Sequence, residues 1–290
     1  HPRARKQGPR RNPLITMATP IFYLHIQSQD CTAEIRLNDA PMFSVVREHA
    51  QVAFPTISEW VIAGENLLGV HLHAIADAPR IRVALCQAEL GDVPEPGQAI
   101  ELIVIEWPPI PLPTLVDELA DAAPIVPELP GLPLELSEVG VADQPWGVWS
   151  WEQGPPFPLD ARTTQAVLDY VRDLHATLAA GSVDTLIAES SIKFDEVAPA
   201  YAMSADEARE RIHQAWQGLT SHGDFVLAPF DETDLDLRLH CGGRVVEPTT
   251  LEGLPILRQA VPIDDESWSL PIFIGRTNWE YAARRLAILR

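Results

Sequence analysis

The chain has 290 residues, 46% of them hydrophobic and 21% charged, a balance that marks a folded globular protein and excludes a wholly disordered one. Its formal net charge is −20, and the basic residues Arg3, Arg5, Lys6, Arg10 and Arg11 precede the first acid, so the part from Met17 onward is more negative still. A field of that sign repels phosphate backbones and anionic lipid and attracts cationic surfaces, which leaves a basic protein as the expected partner and excludes nucleic acid and membranes.

At this length two domains are expected rather than one core. Residues 1–17 read as a basic leader or tag remnant with Met17 as the expected start, because no apolar run of about 7–15 residues follows them as a secretory signal requires. No stretch of about 18 apolar residues exists to cross a bilayer. Cys31, Cys86 and Cys241 are far apart and odd in number, giving neither a disulfide framework nor a zinc spacing, so a reducing cytoplasm is the expected compartment.

Residues 18–107 carry short apolar runs (IFYLHIQ, AEIRLND, MFSVV) separated by polar segments such as QSQD and NDAP, the spacing of an all-β antiparallel domain. In SEWVIAGENLLGVHLHAI, Leu68, Val70 and Leu72 share one face and His71 and His73 the other. IRVALCQAEL and AIELIVIEW supply two further strands. The order W-x-x-x-G-E-N-x-L-x-V, here Trp60 to Val70, resembles the galactose-binding-like β-sandwich domains, which implies a sandwich scaffold and carries no sugar-binding residue across. With His25 as a third ligand, His71 and His73 have the makings of a metal site; without a supporting Cys or Glu-x-His spacing they read as outward polar residues, and neither metal nor cofactor is expected.

Residues 108–160 hold twelve of the 27 prolines, and between Arg82 and Arg162 there is no Lys or Arg while Asp and Glu occur fourteen times. Proline at that density keeps most of the segment out of helix and sheet interiors. Its many leucines are too apolar for a solvated linker, at ~1.5–3 kcal/mol for each fully buried side chain. The segment therefore reads as an acidic strap lying on its neighbours, with Asp117, Glu118, Asp121, Glu128, Glu135 and Glu138 outward as a docking surface for a basic protein. Trp149 and Trp151 are expected on one strand face, plugging the seam between domains, with Trp146 beside them.

Over 161–290, ARTTQAVLDYVRDLHATLAAGS has the three-and-four apolar spacing of a helix stopped at Gly181, VDTLIAES is a second helix, and Ser204 with Glu207 forms a capping box before a third. Strands follow, with Gly242-Gly243 as a hairpin signal. The phrases LHATLAAGSVDTLIA, LHCGGRVVEPTTLEGLPILR and LPIFIGRTNWEYAARR resemble the nuclear-transport-factor-2-like family, which includes ketosteroid isomerase and polyketide-cyclase relatives. The resemblance implies three helices packed on a curved antiparallel sheet around a cavity, used by some members for catalysis and by others for binding.

Proton-transfer chemistry in such a cavity needs a carboxylate base and an oxyanion donor. Tyr170, Asp224 and His240 are the residues offered for those roles, though the family's base and donor have no matching position here. G-x-S-x-G, the phosphate-loop motif, H-E-x-x-H and C-x-x-C are all missing from the sequence. The expected protein is thus non-enzymatic, an acidic binder of a basic partner and in its sharpest form a bacterial immunity protein. The alternative is an isomerase-, cyclase- or dehydratase-like enzyme, or a ligand binder, using the C-terminal cavity.

Overall fold

A computed structural model describes residues 19–92, 97–109, 131–158, 160–221, 223–262, 267–277 and 286–290. The architecture is mixed α+β with mostly antiparallel sheets. Its first feature is a pair of unusually long strands, β1 (Pro20–Leu37) and β4 (Gly64–Glu89), joined by β2 (Ala40–Val45) and β3 (Gln51–Ala53). β5 (Ile100–Trp107) and β6 (Leu134–Ala142) complete a six-stranded sheet.

The sequence expects QSQD to break the chain into two strands, but β1 runs straight through it. A bulge absorbs the break. Before it Phe22, Leu24 and Ile26 are buried, and after it Cys31, Ala33, Ile35 and Leu37 are. Side chains alternate along a strand, so inward positions change from even to odd numbers only because one extra residue is inserted. Asp30, with φ +52°, is where the parity of β1 changes; it stands opposite the four β4 residues 76–79, and a second register shift follows between Thr32 and Ala33. β4 makes the same change of parity, from Leu68, Val70 and Leu72 to Ile81, Val83 and Leu85. Both halves of the long hairpin therefore face one apolar core. The first half of β4 pairs β6 and the second half pairs β5.

NDAP is a turn as expected: Asn38 and Asp39, both at positive φ, connect Leu37 to Ala40 in the two-residue hairpin geometry that short polar side chains tolerate. The GEN motif has a bracing role. Asn66 is fully buried and uses all its amide capacity, accepting from Ile62 N and Asn38 Nδ2 and donating to the Ile62 and Gly64 carbonyls.

The expected strap is not uniform. Residues 110–130 lie outside the described set; from Leu134 the chain forms β6, antiparallel to β4 and paired with it alone. The nine residues after Pro133 contain no proline, so a strand becomes possible there. Trp151 sits in a helical turn, α1 (Ser150–Gln153), and Trp149 caps its start, rather than the two sharing a strand, yet both are buried.

Four helices follow: α2 (Ala161–Ala179), α3 (Asp184–Glu189), α4 (Ser191–Ala200) and α5 (Ala205–Ser221). The sequence expects three, with no separate α4. Asp160 caps α2 through Thr163 N. Gly181, at φ +88°, ends it with paired bonds from Gly181 N to Leu178 O and Ser182 N to Thr177 O. Ser204 Oγ accepts from Glu207 N at the start of α5. β7 (Leu235–His240) and β8 (Val245–Thr250) then form a hairpin whose loop spans Cys241 to Arg244, four residues rather than the glycine pair alone. β9 (Leu257–Arg258) pairs β10 (Ser269–Leu270), and β11 (Ile274–Arg276) with β12 (Leu286–Ile288) extends the sheet of β8 and β7. No described helix is long and apolar enough to cross a membrane.

Candidate functional site: an open sheet face and a closed seam

The C-terminal elements dock on the outward side of β1. Inward positions there are Ile35 and Leu37, so Glu34 and Arg36 point out. The Arg36 guanidinium donates from Nη2 to His240 Nδ1 at 2.8 Å, and His240 Nε2 lies 2.9 Å from Glu247 Oε2. An arginine can only donate, so Nδ1 is the acceptor and the imidazole carries its proton on Nε2, donated to Glu247. Both ring nitrogens of His240 are thereby used in holding β7 and β8 to β1.

Beyond this contact the same face stays uncovered. Leu67 (45% exposed) lies opposite Val139 (57%), Glu65 opposite Val141 (66%), and His71 opposite Glu135. These residues form a strip of exposed apolar side chains with carboxylates at either end, at the free edge of the sheet. Gly140 explains how β6 reaches its place: a Cβ there would stand 2.5 Å from Ile103 Cγ1 and 2.6 Å from the Leu102 carbonyl oxygen. Only glycine lets β6 cross β5 that closely.

The seam between the sheet and the C-terminal elements is a buried polar network. Arg290 is 3% exposed; its Nε donates to the Glu59 carbonyl at 3.0 Å and its Nη1 to Glu196 Oε2 at 3.0 Å, while the guanidinium stacks over Trp149 at 4.8 Å. Burial lowers the Arg290 pKa, and Glu196 opposes that shift. Glu196 also accepts from Ser150 N, and Tyr201 donates to Glu59 Oε2. Trp149 Nε1 donates to Val61 O at 2.8 Å and Trp151 Nε1 to Glu59 O at 3.3 Å, so both indoles meet their polar requirement. A cleft of about 570 Å³ opens beside the network, walled by Met42, Phe43, Trp60 and Phe273, with Glu59 and Lys193 in its lining.

Of the residues read from the sequence as a docking surface, Asp117, Glu118, Asp121 and Glu128 lie outside the described residues. Glu135 and Glu138 are both exposed on β6, but three positions apart on a regular strand, so they emerge on opposite faces. The residues offered for proton transfer have separate surroundings. Tyr170 donates to Glu189 Oε2 at 2.9 Å, Asp224 is exposed, and His240 is the bridge just described. Between the C-terminal helices and sheet, Val171, Leu174, Leu178, Trp216, Leu257 and Ile274 form one apolar cluster.

His71 and His73 face outward as expected, and no cluster of metal-ligating side chains occurs among the described residues. His25 faces the same outward side of β1 but stacks on Phe54 at 4.8 Å, and burial lowers its pKa. The sequence reading missed Glu59, Lys193 and Arg290. They come together from the short 3₁₀ turn Ser58–Trp60 before β4, from α4, and from the residues after β12, a combination that no local spacing announces.

No protein-family model, curated protein or solved structure matches the chain.

Proposed function

We propose that this chain is an acidic, non-enzymatic binding protein whose open β4–β6 face receives a basic protein. The observation that carries the reading is the strip of Leu67, Val139 and Val141, exposed at a sheet edge and flanked by Glu65 and Glu135, whose β6 members Glu135, Val139 and Val141 lie inside a stretch of sequence with no Lys or Arg from residue 83 to residue 161. Apolar side chains at the centre of an interface supply most of the affinity, and charges around them set encounter rate and partner choice. The acids at 117, 118, 121 and 128 extend the same sign of charge along the chain. The sharpest form of the proposal is an immunity protein that caps a basic toxin or effector of its own cell.

The finer architecture belongs to the same reading: a β-sandwich over 18–107, an acidic Pro-rich connection over 108–160, and a nuclear-transport-factor-2-like cone over 161–290. Its support is the order of helices followed by antiparallel strands in the last part, and the two halves of the long hairpin facing one core in the first.

The test is a comparative pull-down from the native host at low salt with the wild-type chain and with a Glu135→Lys, Val139→Lys double variant. The proposal expects a protein of net positive charge that the wild type retains and the variant loses. A set of retained proteins identical for both baits would remove this face from the account.

A further inference from the structure

The chain contains only two lysines, Lys6 and Lys193; every other side chain that is fully cationic at neutral pH is arginine. Lys193 is therefore the one lysine in the described structure. It lies on α4, half-buried, in the lining of the seam cleft with Glu59, Trp60, Phe273 and Arg290. Arg290 pairs with Glu196 and the Glu59 carbonyl, and Arg36 with His240, Glu34 and Asp39, each keeping one buried nitrogen without a hydrogen-bond partner. Glu59 and Arg290 are the charged groups that act on Lys193. The chain thus sets its one described lysine in the lining of a mostly apolar cleft, with a carboxylate and a guanidinium in the same lining.

An amine becomes a nucleophile when it is removed from water or set beside a second cation, because both disfavour the ammonium form. Both conditions hold here. Burial pushes the Lys193 amine below the usual lysine range; Glu59 opposes the push and Arg290 adds to it. Arginine in the same place stays protonated and has no such chemistry. Met42, Phe43, Trp60 and Phe273 line the cleft with carbon, which suits a ligand with an aryl or alkyl body.

We propose that Lys193 is a reactive amine that condenses with small apolar aldehydes or ketones bound in the seam cleft. The Nζ lone pair attacks the carbonyl carbon and forms the C–N bond; the carbonyl oxygen takes up the two protons of the neutral amine and leaves as water, giving an imine with no net oxidation. The inference is independent of the protein-binding face, which lies on β4 and β6.

The experiment incubates the full chain with benzaldehyde and cyanoborohydride at pH 7, with Nα-acetyl-lysine amide in the same solution as a reference amine. Peptide mapping by mass spectrometry follows adduct formation at Lys193 over time. The proposal expects Lys193 to be labelled at least tenfold faster than the reference, with a rate that saturates as benzaldehyde increases. Glyoxylate, which has no apolar body, is expected to label Lys193 more slowly than benzaldehyde does. A rate equal to that of the reference, or one rising linearly with aldehyde, overturns the proposal and leaves Lys193 as a mere counter-charge to Glu59. Glyoxylate reacting faster than benzaldehyde overturns the apolar-carbonyl assignment.

Discussion

Arg36 and His240 are 204 residues apart in sequence and 2.8 Å apart in space, and their bond fixes the tautomer through which His240 holds Glu247. The imidazole is buried and Glu247 nearly so. Replacing His240 with Ala removes one of the partners of Arg36 Nη2, which keeps the Asp39 carbonyl, and the imidazole partner of Glu247 in the lining of the seam cleft. The expected cost is about 2–4 kcal/mol, read as a lower urea midpoint at unchanged slope. A double-mutant cycle with Arg36→Ala is expected to show a coupling of ~1 kcal/mol or more.

Asp30 sets the register of the long hairpin. Deleting it is expected to lower the thermal midpoint, because the inward residues of β1 on one side of the irregularity keep their face only if β4 residues 76–79 rearrange. Asp30→Gly keeps the extra residue and suits the positive φ, so its unfolding free energy is expected to stay within about 1 kcal/mol of the wild type.

Gly140→Ala places a methyl group where Ile103 and the Leu102 carbonyl already stand. Backbone cannot yield as a side-chain tip can, so a loss of about 1–3 kcal/mol is expected on thermal or urea unfolding. The same change at Gly147, which has open space but φ +85°, is expected to cost less, about 1 kcal/mol.

The three thiols are free and buried, with burial pushing Cys86 up to about 11 and Cys241 up to about 12 and raising Cys31 as well. At pH 8 the native chain is expected to resist iodoacetamide, and all three cysteines are expected to react once it is unfolded in urea. A thiol whose folded pKa lies above its unfolded value binds its proton more tightly when folded. Its stabilising contribution is therefore complete below about pH 8.5 and is lost as pH climbs toward 11 and 12, so the urea midpoint is expected to fall across that alkaline range.

Alternation and capping made much of this legible before any coordinates: the inward set Leu68, Val70 and Leu72, the Asn38-Asp39 turn, the stop at Gly181 and the Ser204 cap all follow from local chemistry. QSQD misled because a polar run looks the same whether it turns the chain or bulges within a strand, and the difference lies in the partner strand. β6 was hidden by the prolines before it, which argued against any sheet. The seam was illegible because Glu59, Lys193, Glu196 and Arg290 meet only through tertiary packing, and a lone glutamate or lysine carries no spacing to read. The composition nonetheless holds one clue, a chain almost without lysine that keeps one in SIKFDEVAPA, the segment that forms α4.

The most direct test of the account is the association rate of the captured basic partner with the wild-type chain and with the Glu135→Lys, Val139→Lys variant, measured from about 20 to 500 mM salt, a span over which screening shortens the reach of surface charge severalfold. The account predicts a wild-type rate that falls steeply with added salt, and a variant that binds more slowly at low salt and dissociates faster throughout. A wild-type rate insensitive to salt, matched by the variant in both phases, would contradict it.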